Sequence, residues 1–249
     1  MPRIPMLMAD FYKIGHREQY PDGTQTVYST WTPRASRVEP IKHVVAFGFQ
    51  AFIKKYLIQF FNENFFERPK ADVVSEYKRV ISSTLGIGNP HTQHIERLHD
   101  LGYLPIKIMA VPEGTRVPLR VPMLTIENTG SEFFWLTNFL ETLMSCEIWL
   151  ASTSATTAAE YRKILDHYAK LTGDPEFVKF QGHDFSFRGM ACLEAAEMSG
   201  AGHLLSFVGT DSIPAITYLE EYYHGNVEKE LIGCSVNATE HSVMCAGGG

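Results

Sequence analysis

Past Gly173 the chain settles into a repeating order of apolar strand, polar loop and helix, and this order narrows the fold more than any other feature. "EFVKFQGHDF" reads as a strand and "GMACLEAAEMSGA" as the helix that follows. "HLLSFVGT" and "SIPAITYLEEYYHG" repeat the pair. "ELIGCSVNAT" is a further strand, and "EHSVMCAGGG" starts a helix. Such alternation belongs to a parallel sheet or barrel, because parallel strands need a crossover between them. Three units cannot close a (β/α)8 barrel. The fold class expected is α/β: an α+β N-terminal region over 1–150, then the first three βα units of an incomplete (β/α) barrel over 151–249, with the remainder absent from this chain.

The N-terminal region has another texture. "QTVYSTWTPRAS" alternates as a strand, with Val27, Ser29 and Trp31 on one face. "FGFQAFIKKYLIQFFNENFF" has Phe49, Phe52, Ile53, Tyr56, Leu57, Phe60 and Phe61 at helical spacing, with Lys54, Lys55 and Gln59 outside. A helix is expected from about Ala71 to Leu85, stopped by "GIG", and a short one over "HTQHIERLHDLG", stopped by Gly102. "LPIKIMAVPEGTRVPLRVPMLTIENT" predicts a small antiparallel unit broken by Pro and Gly. A long helix is expected from Ser131, capped by that serine, and a separate one over "TTAAEYRKILDHYAKLTG".

Composition excludes some classes of function. A net charge of −6 is opposite to that of a general nucleic-acid binder. Cys146, Cys192, Cys234 and Cys245 include no C-x-x-C pair, so neither a zinc site nor a disulfide scaffold is expected, and reduced thiols fit a cytoplasmic protein. The most apolar run, "FFWLTNFLETLMSCEIWLA", is interrupted by Asn138, Glu141 and Glu147, which argues against a membrane span.

Ligands of α/β folds gather where strands end, and three polar loops sit at those positions. In "HDFSFRG", Phe185 and Arg188 suit a flat ring that gains positive charge near a phosphate, or else a core phenylalanine and a surface cation. In "GTDS", Asp211 either caps the helix containing Pro214 or accepts hydrogen bonds from a carboxamide, which an ionised carboxylate does while repelling another carboxylate. In "NATEHS", His241 is either a general base or phosphate acceptor, or a histidine packed in a first helical turn; its neighbour Glu240 need not face it. Near the N-terminus, "MADFYKIGHREQYPDGT" gathers Asp10, Tyr12, Lys13, His16, Arg17 and Tyr20, which otherwise reads as an amphipathic first helix. "TPRASR" places Arg34 and Arg37 in a turn.

"ADFYKIGHREQYP", "GYLPIKIMAVPEGT", "WLTNFLET", "HDFSFRG", "GTDS" and "SVNATEHS" occur in this order, and together they closely resemble the nicotinamide phosphoribosyltransferases, a type II phosphoribosyltransferase family. The resemblance runs from Asp10 to His241. It implies a type II barrel and transfer of phosphoribose from phosphoribosyl pyrophosphate to nicotinamide, giving nicotinamide mononucleotide and pyrophosphate with Mg2+, in NAD salvage. It implies a homodimer with sites at the interface. By resemblance Phe185 stacks on the nicotinamide ring, Tyr12 of the other subunit stacks opposite with Asp10 nearby, and Asp211 accepts from the carboxamide. Arg188 lies by the base and phosphate pocket, Arg34 reaches phosphates, and Ser235, Val236 and Ala238 line the pocket. His241 matches a histidine phosphorylated when ATP hydrolysis is coupled to synthesis.

The resemblance also implies chain beyond Gly249, carrying an acidic pair for ribose and metal and glycine-rich phosphate loops. The expectation is therefore an N-terminal part or subunit that assembles as a homodimer or with a C-terminal chain. Asn237, Thr239 and Ser186 depart from commoner family choices. A nicotinate-using relative and a non-catalytic nicotinamide-binding subunit are the competing readings.

Overall fold

The computed structural model describes residues 3–85 and 88–247, which fall into two compact units, one running to Thr156 and one starting at Thr157. The boundary lies inside a single helix.

The first unit contains β1 (Tyr28–Trp31), β2 (His43–Val45), α1 (Phe49–Phe52), α2 (Lys70–Leu85), α3 (Gln93–Leu101), β3 (Ile106–Ala110), β4 (Arg116–Pro118), β5 (Leu124–Asn128), α4 (Leu136–Phe139) and the start of α5 (Glu141–Thr172). β5 lies between β1 and β3 and pairs with both antiparallel, Tyr28 facing Glu127 and Ile106 facing Asn128. β2 and β4 form a separate antiparallel pair. The expected antiparallel unit is therefore present, and Ser29 and Trp31 of β1 face inward as the alternation required. β5 buries Leu124, Ile126 and Asn128 on one face. The Asn128 amide meets its own needs there: Nδ2 donates to the Gln25 and Gly130 carbonyls at 2.9 and 2.8 Å, and Oδ1 accepts from the Val27 N–H at 2.8 Å.

The phenylalanine-rich helix forms, but most of it is not an α-helix. After Phe52 it continues as π turns over Ile53–Phe60 and Asn62–Phe66. Phe61 N–H reaches the Tyr56 carbonyl, and Glu67 N–H reaches that of Asn62 at 2.9 Å. Wider turns bring residues four and five apart onto one face. Leu57, Phe61 and Phe65 are accordingly the buried set, while Ile53, Tyr56 and Phe60 are only partly buried. The helix start is fixed by Glu113, whose carboxylate accepts from Gly48 N–H at 3.1 Å and Gln50 N–H at 2.6 Å. Gly48 has φ +100°, and a Cβ there would lie 2.9 Å from the Ala151 Cβ, so this elbow needs glycine.

Other expectations need correction. The N-terminal motif forms 3-10 turns, Phe11–Gly15 and Arg17–Gln19, in place of a first helix. Ser131 lies within a 3-10 turn whose N-cap position is Gly130, so it is not a cap. The two helices expected after it are one, α5, of 32 residues, ending before Gly173 as the sequence indicated. Gly102 closes α3 with φ +79°. The "GIG" stop falls on Gly86 and Ile87, and the last two residues of "AGGG" are Gly248 and Gly249; these four lie outside the described residues.

The second unit adds α6 (Val178–Gln181), β6 (His183–Asp184), α7 (Leu193–Leu204), β7 (Gly209–Thr210), α8 (Ile213–Tyr223) and α9 (His241–Ala246). The three βα units are in place, but their strands are far shorter than their apolar runs. Asp174 accepts a hydrogen bond from Glu176 N–H at 2.9 Å and is followed by Pro175, so "PEFVKFQ" starts helically and only His183–Asp184 is strand. "HLLSFVGT" supplies the end of α7 before β7. The third strand is a single parallel bridge, Gly209 to Cys234.

His94, in α3, offers a test of the first unit's core. Its ring meets Trp135 edge-on, with centroids 4.8 Å apart, and its Nδ1 has no hydrogen-bond partner. Burial, aided by the positive charges of Arg17 and His91, pushes its pKa down to about 4. The folded state holds this histidine neutral while the unfolded chain protonates it below its ordinary pKa. Stability is therefore lost as pH falls from 6.5 toward 4, by an amount on the order of 3 kcal/mol. All three tryptophans lie in this unit, so urea unfolding followed by tryptophan fluorescence should show that loss, and His94→Phe should remove most of it.

Candidate active site

The second unit brings its three strand ends side by side. Thr210 N–H donates to the Cys234 carbonyl at 2.8 Å, Cys234 N–H to the Val208 carbonyl at 2.7 Å, and Asp211 N–H to the Asp184 carbonyl at 2.9 Å. β6 and β7 pair in parallel, His183 with Gly209 and Asp184 with Thr210. The loops after all three strands therefore leave from one edge, where α/β folds place ligands.

Asp184 organises that edge from below. Only 7% exposed, it accepts from Ser186 N–H at 2.9 Å through Oδ1 and from the Ser212 hydroxyl at 2.7 Å through Oδ2. Burial pushes its pKa up, but hydrogen bonds from Ser186 and Ser212 outweigh this and leave it below its ordinary value. His203, in α7, is half-buried. Burial pushes its pKa down against the pull of Asp184 and of its 3.0 Å hydrogen bond with the Gly209 carbonyl.

Above Asp184 the cleft opens. It measures 720 Å3 and is lined by Phe185, Phe187, Arg188, Met190, Cys192, Leu193 and Asp211. Phe185 is 66% exposed, which disposes of the core alternative for this ring. Its face stacks on the His183 imidazole at a centroid distance of 4.3 Å and an angle of 26°. Asp211 does not cap α8, whose N-cap is Ser212 with Pro214 in the first turn. Its Oδ1 instead meets His183 Nε2 at 2.8 Å and the Ser235 hydroxyl. The Ser235 hydrogen bond, then that of His183, holds the Asp211 carboxyl below its ordinary pKa, with Arg188 adding a smaller pull. Arg188 itself forms no hydrogen bond or ion pair with a described residue and is exposed to the cleft.

Phe185, Arg188, Asp211 and Ser235 are thus gathered at one site. Val236 and Ala238 are exposed on the same loop as Ser235 but do not line the cleft, and neither does His241, which is the first residue of α9 and exposed. Asp10, Tyr12 and Arg34 belong to the first unit. There Asp10 Oδ2 accepts from the Thr142 hydroxyl at 2.8 Å, and Tyr12 is 61% exposed with His16 edge-on to its ring at 4.8 Å. Lys13 is buried and paired with Glu141 at 2.5 Å. Arg34 is exposed beyond β1. The roles of His183, Asp184 and Ser212 do not follow from the sequence pattern alone. Their signal was the position of "HD" and "DS" at successive strand ends. Among the described residues no group of three or more His, Cys, Asp or Glu is placed to hold a metal ion.

Residues 5–108 match the family described as nicotinamide phosphoribosyltransferase, N-terminal domain, and residues 180–249 match the nicotinate phosphoribosyltransferase family. A nicotinamide phosphoribosyltransferase of Acinetobacter baylyi is 53% identical over 249 residues, covering 98% of this chain and 49% of that protein. One from Xanthomonas campestris is 32% identical with the same coverage. The chain therefore spans about half the length of the curated relatives it matches. A crystal structure of human nicotinic acid phosphoribosyltransferase superposes with a TM-score of 0.59 at 19% identity, over 96% of this chain and 40% of that one. The fold expected from the βα alternation is the one this neighbour has.

Because the folded pKa of Asp184 is depressed, its contribution to stability is present above the ordinary carboxylate pKa and is lost as pH falls through the folded value. Asp184→Asn should cost about 1–3 kcal/mol at pH 7. In urea unfolding followed by circular dichroism, the gap to the unaltered chain should close on acidification below pH ~4.

Proposed function

This chain carries in order a segment of the nicotinamide phosphoribosyltransferase N-terminal domain family and a segment of the nicotinate phosphoribosyltransferase family, and from that premise we propose that its protein is a nicotinamide phosphoribosyltransferase acting in NAD salvage. The ring nitrogen of nicotinamide attacks the anomeric carbon of phosphoribosyl pyrophosphate. The bond from that carbon to the pyrophosphate oxygen breaks, its electron pair leaves with pyrophosphate, and nicotinamide mononucleotide is formed.

The observation that carries this reading is the joint presence of an exposed ring, Phe185, a carboxylate, Asp211, and a cation without a partner among the described residues, Arg188, around one cleft. Phe185 offers a face to a flat ring and tolerates the positive charge that grows on it. Asp211, ionised and able only to accept, takes a carboxamide N–H. Arg188 offsets the charge developing on the leaving phosphates. Tyr12, Asp10 and Arg34 are proposed to serve the site of a second copy, Tyr12 as the opposite ring face. Val236 and Ala238 are proposed to border the base.

His241 is proposed to take the terminal phosphoryl group of ATP, releasing ADP. The added negative charge and acceptor oxygens would favour the loaded substrate complex. Mg2+ is expected to travel with the pyrophosphate groups. The described residues hold no carboxylate cluster to fix it. The half of the relatives' length that this chain does not span is expected to supply further phosphate and ribose contacts, either in a longer polypeptide or in a partner chain.

A nicotinate-using enzyme is the second reading, and the match of residues 180–249 favours it. Asp211 opposes it, because its free oxygen would set a like charge against the substrate carboxylate. The reaction is tested by measuring nicotinamide mononucleotide from nicotinamide and phosphoribosyl pyrophosphate. The assay uses this chain alone and together with the polypeptide that completes the relatives' length. Product should form in at least the completed assembly. No product in either arm contradicts the proposal, and faster turnover of nicotinate reverses the substrate. Asp211→Asn should weaken nicotinamide binding about tenfold or more, and calorimetry reads this directly.

A further inference from the structure

We propose that His183 is a positioning residue of the base site, holding Asp211 and Phe185 so that one carboxylate oxygen and one ring face address the same ligand. This rests on the nicotinamide reading above and adds to it a residue that sets selectivity between an amide and an acid.

The imidazole makes both contacts at once. Its Nε2 lies 2.8 Å from Asp211 Oδ1, and its face stacks on Phe185 at 4.3 Å. With Asp211 ionised, Nε2 must be the donor, which leaves the neutral ring's lone pair on Nδ1. Ser235 donates to the same oxygen, Oδ1. Two donors on one oxygen fix the carboxylate plane and leave Oδ2 without a donor among the described residues. A carboxamide N–H can supply that donor, whereas a carboxylate ligand would bring lone pairs against lone pairs. His183 therefore decides which oxygen is offered and where it points relative to the Phe185 face.

The backbone reserves the space for this ring. A Cβ at Gly209 would lie 2.9 Å from His183 Nδ1 and 2.7 Å from the Gly182 carbonyl oxygen. The His183 side chain is itself only 19% exposed, although Asp211 beside it is 46% exposed. The imidazole is thus seated against β7 and cannot swing freely, which is what orienting a more exposed carboxylate requires.

Two substitutions separate its two contacts. His183→Phe keeps a ring to stack on Phe185 and removes the donor. His183→Gln keeps an N–H near the place of Nε2 and removes the ring. Nicotinamide and nicotinate are titrated by calorimetry into the unaltered chain and each variant. His183→Phe should lose about tenfold or more in nicotinamide affinity while nicotinate changes less than about threefold, and His183→Gln should recover nicotinamide affinity to within about fivefold. A His183→Phe chain with unchanged nicotinamide affinity and an unchanged ratio between the bases overturns the proposal.

Should that variant not fold, 15N spectra of the unaltered chain carry the test. The Nε2–H tautomer of His183 should be present without ligand and should be lost in Asp211→Leu, which offers Nε2–H no acceptor. An Nδ1–H tautomer in the unaltered chain overturns the proposal. An unaltered chain with the expected tautomer that binds neither base contradicts the nicotinamide reading and the selectivity role together. Binding with no effect of His183→Phe contradicts the positioning role alone.

Discussion

The candidate site depends on a carboxylate that does not touch the cleft. Asp184 is buried and ties the end of the first strand to the start of the helix after the second, through Ser212. Burying an ionised group is unfavourable unless hydrogen bonds surround it, and here the Ser186 N–H, the Ser212 hydroxyl and the tight packing of α7 provide that surrounding. Gly200 is part of the arrangement. A Cβ there would lie 2.6 Å from the Ala215 Cβ and 3.1 Å from Asp184 Oδ2, so α7 and α8 approach closely only because this residue has no side chain. With Asp184 satisfied, its backbone carbonyl receives the Asp211 N–H, and Asp211 is delivered to the rim.

Two layers follow from this. The lower layer, Asp184 and Ser212, is buried and structural, with half-buried His203 beside it. The upper layer, His183 with Asp211, Ser235 and Phe185, is half in solvent and holds the groups that can meet a ligand. The charges differ in the same way: Asp184 is ionised against burial, whereas Asp211 is ionised because exposed donors favour it. The first unit uses another device for the same purpose. Glu113 satisfies the N–H groups of Gly48 and Gln50 where the phenylalanine-rich helix begins, and the apolar faces of the π turns then fill the core.

The order of these elements was legible in the sequence because βα alternation and terminal glycines act locally. Gly102, Gly173 and Pro214 at the start of α8 did what such residues do in isolation, whereas the Ser212 hydroxyl turns to Asp184 and does not cap the helix. The extent of the strands was not legible. Apolar runs such as "FVKF" suit a strand or a buried helix turn equally, and the Asp174–Pro175 start decided for helix. The π winding was hidden because Phe49, Phe52, Phe61 and Phe65 fit an α period nearly as well. At the site, Phe185 and Asp211 were found through their loops, and Ser235 only through the family resemblance. His183 was overlooked because its value lies in contacts with residues far along the chain, Asp211 and Ser235, which only the pairing of β6 with β7 brings close.

The chain spans about half of its curated relatives, so its substrate is a question for the site itself. The central claim is that the rim carboxylate, fixed from beneath, reads an amide. The most direct measurement is amide-resolved NMR of the 249-residue chain during titration with nicotinamide and, separately, with nicotinate. Nicotinamide should shift the backbone signals of Phe185, Asp211 and Ser235, and nicotinate at equal concentration should leave them in place. Equal shifts with both compounds, or shifts with nicotinamide confined to residues outside this cleft, would contradict the central claim.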